Sequence, residues 1–173
     1  MEQIKISWKH VITGLAIIVF TFVADQLSKL YIIQTYPDTG KNFVTIIENF
    51  LYISHVRNTG AAWGILAGNS LILVWGTGIV LLVMLCFLFL TNRMALTIPV
   101  AMVVGGGLGN LYDRIFREGV VDFIDVYLGS YDYPVFNIAD SVLVCGVIAL
   151  AVYVIFFYKE DNPGYRSLKL WKK

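Results

Sequence analysis

Residues 71–111, LILVWGTGIVLLVMLCFLFLTNRMALTIPVAMVVGGGLGNL, hold two charge-free runs, 71–90 and 94–111, with the polar Asn92 and Arg93 between them. Each run is close to the ~20 apolar residues that carry a helix across roughly 30 Å of hydrocarbon. A link this short joins two such helices as a tight antiparallel hairpin.

Two further runs flank this pair. Lys5 and Lys9 precede an uncharged stretch, 11–24, that resembles a secretory signal peptide. Phe22-Val23-Ala24, however, lacks the small residue needed three positions before a cleavage site, and the stretch continues through Asp25, Gln26 and Lys29 to Ile33. It is expected to be a retained helix. The last run, 141–158, is again free of charge. The expectation is one integral-membrane domain over 1–173, with spans at 11–33, 71–91, 94–112 and 140–158 and a polar tail at 159–173.

Composition agrees: 58% hydrophobic and 14% charged residues, with a mean hydropathy of +0.72, depart from the roughly 45–50% and 25% of soluble domains. A net charge of +1 argues against a polyanionic partner and against nucleic acid. Cys86 and Cys145 fall in apolar runs, and His10 and His55 stand alone, so no metal-ligand spacing exists and no metal or cofactor is expected. Gly105-Gly106-Gly107-Leu108-Gly109 is not a dinucleotide loop, because Asn110 stands where the last glycine belongs and no strand precedes it. The Gly105–Gly109 spacing instead suits close approach of helices in lipid.

Four crossings put both termini on one side. That side carries eight Lys and Arg (Lys5, Lys9, Arg93, Lys159, Arg166, Lys169, Lys172, Lys173), against four on the other (Lys41, Arg57, Arg114, Arg117). Termini and the 92–93 link are therefore expected in the cytoplasm. Trp8 and Trp171 near the inner boundary, and Tyr31, Trp75 and Tyr112 among those near the outer one, suit interfacial anchoring. The outer connections, 34–69 and 112–140, hold most polar residues of interest. In the first, 43–47 and 50–56 are rich in β-branched and aromatic residues and flank Glu48-Asn49, which predicts a hairpin and a small outer β region over 42–66. Asn58-Thr59-Gly60 turns the chain into Ala61-Ala62-Trp63-Gly64, an apolar stretch able to dip back toward the bundle.

Carboxylates at a membrane boundary are costly, so the acids are informative. Asp25 has Lys29 four residues on, as an intrahelical pair would require. Asp113 adjoins Arg114, an expected ion-pair partner. Asp125 and Asp132 are expected as turn residues. Asp122 and Asp140 are the least compensated. If the fold joins them, two like charges cannot both ionise, and one acid and one base would face a single water. The residues alone equally allow a helix cap and a turn former.

Five motifs then occur in order over residues 10–158. They are Asp25-Gln26-Leu27-Ser28-Lys29; Arg57-Asn58-Thr59-Gly60-Ala61-Ala62; Gly109-Asn110-Leu111-Tyr112-Asp113-Arg114; Val120-Val121-Asp122-Phe123-Ile124-Asp125; and Phe136-Asn137-Ile138-Ala139-Asp140-Ser141. Together they closely resemble bacterial lipoprotein signal peptidase, also called signal peptidase II. The resemblance implies an aspartic endopeptidase of the bacterial cytoplasmic membrane that removes signal peptides from prolipoproteins, cutting before the diacylglyceryl-modified cysteine. It implies a four-transmembrane-helix bundle with a small extracytoplasmic β-sheet and an outer loop or helix cradling the substrate. Asp122 and Asp140 match the catalytic pair, and Asn58, Asn110, Arg114 and Asn137 the substrate-contacting residues. Asp25 and Lys29, with Asp113 and Gly60, fall at supporting positions. The implied partners are lipid-modified prolipoproteins and membrane lipids, with the chain acting as a monomer. A proton-coupled transporter, suggested by Asp25 and Lys29 within a helix, and a non-catalytic scaffold are the alternatives. The lack of inverted repeats speaks against the former.

Overall fold

Four helices in the structure are long and apolar enough to cross a membrane, and a four-stranded antiparallel sheet stands at one end of them. The structure is a computed structural model and describes residues 6–38, 40–60 and 68–158. In chain order the elements are α1 (Trp8–Thr35), β1 (Gly40–Ile47), β2 (Leu51–Asn58), α2 (Ser70–Leu90), α3 (Met94–Phe116), β3 (Val120–Leu128), β4 (Tyr131–Asp132) and α4 (Ile138–Val152), the last continued by a π-helical turn, Tyr153–Phe157. The expected dip at 61–64, the outer loop or helix and the tail at 159–173 lie outside the described residues.

α3 is the central helix. It buries thirteen residues, whereas α2 and α4 bury two each. Its glycines explain how. A Cβ on Gly105 would sit 2.9 Å from Thr21 Cβ and 3.2 Å from the Ile18 backbone of α1, and one on Gly109 would run into the Asp25 carboxylate. Hydrogen at these positions lets α1 and α3 lie backbone to backbone, the packing that small residues allow where lipid supplies no hydrophobic drive. α1 and α3 run parallel and α4 runs antiparallel to both. Ile18, Leu88, Val100, Ala101 and Val104 form the buried apolar core of the bundle. Large side chains such as Phe20, Trp75 and Ile155 are more than two-thirds exposed. Apolar surface on that scale suits contact with acyl chains rather than water.

The sheet order is β1-β2-β3-β4. The β1–β2 hairpin turns at Asn49, which takes a left-handed φ of +57°, a conformation asparagine tolerates. The sequence predicts this hairpin but reads 120–128 only as an outer connection. β3 escapes notice because its first four residues, Val120 to Phe123, are all buried, so no polar–apolar alternation betrays a strand. β3 leaves α3 through Glu118, also left-handed at φ +60°, and packs Val121 and Phe123 against Ile32 of α1. The sheet is thereby fixed to the bundle at the point where α4 begins.

Candidate active site

α4 starts with a reciprocal cap. The Asn137 side-chain oxygen accepts from the Asp140 amide at 2.8 Å, and the Asp140 carboxylate accepts from the Asn137 amide at 3.2 Å. This capping box satisfies two otherwise orphaned donors and holds an acid in the first turn, where the helix dipole favours a negative charge. The candidate catalytic residue Asp140 is thus also the N3 member of the capping box.

Asn137 is fully buried and also joins the second acid. Its Nδ2 donates to Asp122 Oδ1 at 2.7 Å and to Asn110 Oδ1 at 3.1 Å. Asn110, on α3, donates its own Nδ2 to Asp140 Oδ1 at 2.7 Å. Asn58, the last residue of β2, donates to Asp122 Oδ2 at 3.0 Å and accepts from the Gly60 amide at 2.9 Å. The three asparagines expected to meet substrate are therefore engaged with the two carboxylates.

Asp122 and Asp140 line one cavity of about 290 Å³ with Asn58, Arg114 and, on the apolar side, Phe136 and Leu143. Burial raises the pKa of Asp122, and the negative charge of Asp140 raises it further; hydrogen bonds from Asn58 and Asn137 and the charge of Lys29 pull it down. The result is about 7, so Asp122 is substantially protonated near neutrality.

Beneath the pair lies a buried ionic cluster. Lys29 Nζ contacts Asp25 Oδ2 at 2.8 Å, Asp113 Oδ2 at 2.9 Å and Asn110 Oδ1 at 3.1 Å. These three acceptors match the three donors of an ammonium. Lys29, Asp25 and Asp113 have 0% side-chain exposure. Arg117 pairs with Asp113 and donates to Gln26 Oε1 at 2.7 Å, making the cluster formally neutral, the condition for keeping such charges out of water. Asp25 Oδ1 accepts from Ala139 N at 3.0 Å, and Asp113 Oδ2 from Val121 N at 3.2 Å. One cluster thus ties α1, α3, β3 and the start of α4 together.

The expected intrahelical Asp25–Lys29 pair is present, with Asp113 sharing the lysine. Two other expectations need correction. Asp113 pairs with Lys29 and Arg117, not with Arg114; neighbours in a helix point about 100° apart, whereas residues four apart share a face. Arg114 instead donates to Gly60 O at 3.1 Å and to Asn110 O at 3.4 Å, and its Nε has no hydrogen-bond partner among the described residues. Asp125 is not a turn residue: it is fully buried in mid-strand and accepts from Ser54 Oγ at 2.8 Å. The parts of the site that the sequence does not reveal are Gln26, Arg117, Ser54 and Asp125. Only Arg117 leaves a legible signal, its four-residue spacing from Asp113.

Four membrane-spanning helices thus hold two acids, Asp122 and Asp140, at one cavity. The family model described as Signal peptidase (SPase) II matches residues 17–156. A bacterial membrane enzyme solved by the in meso method at 2.3 Å resolution is 34% identical, with 93% of this chain and 99% of that one covered and a TM-score of 0.74. Another, solved at 1.9 Å, is 33% identical, with 91% and 100% covered and a TM-score of 0.75. The protein is a membrane peptidase. The chain belongs to the signal peptidase II family.

Proposed function

We propose that this protein is an aspartic endopeptidase that releases the signal peptide from diacylglyceryl-modified prolipoproteins at the outer face of the bacterial cytoplasmic membrane. The observation that carries the aspartic reading is the shared asparagine: Asn137 holds Asp122 by its amide nitrogen and Asp140 by its backbone and side-chain oxygen. Two carboxylates fixed to one residue are placed to act on one water.

In this reading Asp140, at the positive end of α4, takes a proton from the water whose oxygen attacks the scissile carbonyl carbon. Asp122, which holds a proton near neutrality, gives it to the carbonyl oxygen, forming a tetrahedral diol. Collapse breaks the C–N bond: Asp140 passes its proton to the leaving amine of the cysteine, and Asp122 recovers one from the diol. General acid–base catalysis of this kind needs no metal.

Arg114 lines the cavity and keeps an unused Nε–H, which makes it the best placed of the four expected substrate-contacting residues to meet a peptide carbonyl. Asn58, Asn110 and Asn137 act by holding the acids. Leu143 and Val144 line the cavity, and Leu150 and Val154 line an apolar groove of about 320 Å³ with Met84 and Val100. Leu143 and Leu150, seven residues apart, lie on one stripe of α4. That stripe supplies an apolar bed for the signal peptide and lipid chain.

With both termini cytoplasmic, the sheet and the acid pair face outward, where a lipidated cysteine sits. Substrate class is tested on the purified protein in lipid, offered a prolipoprotein with and without its diacylglyceryl group. Cleavage before the cysteine only in the modified form is expected. Equal cleavage of both would remove the lipid from the specificity.

A further inference from the structure

We propose that Ser54, His55 and Asp125 are positioning residues for the acid pair: they pin a β-bulge whose one-residue register shift turns Asn58 onto the sheet face that carries Asp122. The proposal rests on the reading of Asp122 as a catalytic acid.

The register shows the shift. Leu51 pairs with Val126, Tyr52 with Asp125 and Ile53 with Ile124, but beyond them Val56 pairs with Asp122, Arg57 with Val121 and Asn58 with Val120. Two residues, Ser54 and His55, stand opposite the single Phe123. Side chains alternate along a strand, so a one-residue slip exchanges its faces. In the unbroken register Asn58 would lie opposite Gly119, on the face of Val121, and would point away from Asp122. The extra residue instead sets Asn58 across from Val120, two positions from Asp122 on the same face. Its Nδ2 then reaches Asp122 Oδ2 at 3.0 Å.

The bulge is held at two points. Ser54 Oγ donates to Asp125 Oδ2 at 2.8 Å. His55 Nδ1 donates to the carbonyl of Tyr36, the C-cap of α1, at 2.7 Å. Ser54, His55 and Asp125 are all buried. A carboxylate in mid-strand is an expensive way to hold a serine, more so because Asp125 Oδ1 has no partner among the described residues; an apolar pair would pack there at lower cost. What the polar clamp provides is a fixed site for the extra residue, and bulges beside active sites serve to re-aim side chains.

The readout is the ionisation of Asp122, which Asp140 of α4, Lys29 of α1 and Arg114 of α3 also face. Donation from Asn58 lowers the proton affinity of Asp122, so a mis-aimed Asn58 should move the alkaline limb of the pH–rate profile upward. Full-length protein in lipid is assayed as wild type, Ser54→Ala, Ser54→Thr, His55→Gln, Asn58→Ala, Asp122→Asn and the Asn58→Ala doubles of Ser54→Ala and His55→Gln. Ser54→Ala and His55→Gln are expected to lower kcat about tenfold, the order of one hydrogen bond, with the alkaline limb displaced in the direction seen for Asn58→Ala. Each double should be no slower than Asn58→Ala alone, and Ser54→Thr should restore the wild-type profile. If Ser54→Ala does not yield folded protein, His55→Gln and its double carry the comparison. Losses that multiply in the doubles, or a lowered Tm with an unmoved pH profile, would overturn the positioning role while leaving the acid pair intact. Wild-type cleavage by Asp122→Asn would instead overturn the acid-pair reading beneath it.

Discussion

Asp122 is buried, beside another acid, and holds a proton to about pH 7, whereas an aspartate in the unfolded chain releases it near pH 3.9. Two consequences follow with definite signs. If Asp122 is the proton donor, cleavage falls as pH rises through about 7, which a pH–rate profile measures. The folded state also binds more protons than the unfolded one between these two values, so its stability is greatest below the lower and is lost as pH rises through the higher. Asp122→Asn cannot charge, and should therefore raise the Tm at pH 8 and flatten its pH dependence. An unchanged slope would mean that Asp122 titrates as an ordinary surface acid. At this scale the sequence is informative about which acids lack partners nearby in the chain. It misleads on Asp125, which reads as a turn residue but is buried by pairing with a strand whose Ser54 lies 71 residues away in sequence.

At the scale of elements, the ionic cluster and the glycine face of α3 are one construction. Lys29→Met would leave Asp25 and Asp113 facing each other without their shared cation. A loss of about 3–5 kcal/mol is expected for breaking a buried pair, read as a large drop in Tm in detergent. A change within error would show that water reaches the cluster. Gly109→Ala would press a methyl against the Asp25 carboxylate, and overpacking of this kind costs about 1–3 kcal/mol. Lys29 is held by three acceptors at once, which favours a fixed strut over a mobile proton relay. The Gly105–Gly109 spacing and the four-residue Asp25–Lys29 and Asp113–Arg117 spacings are visible in the sequence because they follow the helical period. The bulge at Ser54-His55 is not, because a register shift is a property of two strands and neither strand announces it alone.

The bundle is legible at the scale of the whole molecule because lipid demands long apolar helices, and runs of about twenty such residues have few other uses. The sheet is half legible: β1 and β2 are rich in β-branched and aromatic residues and turn at an asparagine, while the buried start of β3 shows no alternation and looks like part of a loop. Orientation rests on the Lys and Arg count. Single cysteines at Asn92 and Gly129, in a background lacking Cys86 and Cys145, should react with impermeant thiol reagent from opposite sides of the membrane, Gly129 from outside. Reaction from one side would break the topology. Proteolysis should persist in strong chelator, and loss restored by zinc would contradict a metal-free pair. Whether Asp122 and Asp140 perform the cleavage is decided by a gel-shift assay of lipidated prolipoprotein with Asp122→Asn and Asp140→Asn. Both variants should insert and fold as wild type yet lose at least about 10²–10⁴-fold in rate, the contribution of general acid–base catalysis. Wild-type cleavage by either would remove that residue from the catalytic pair.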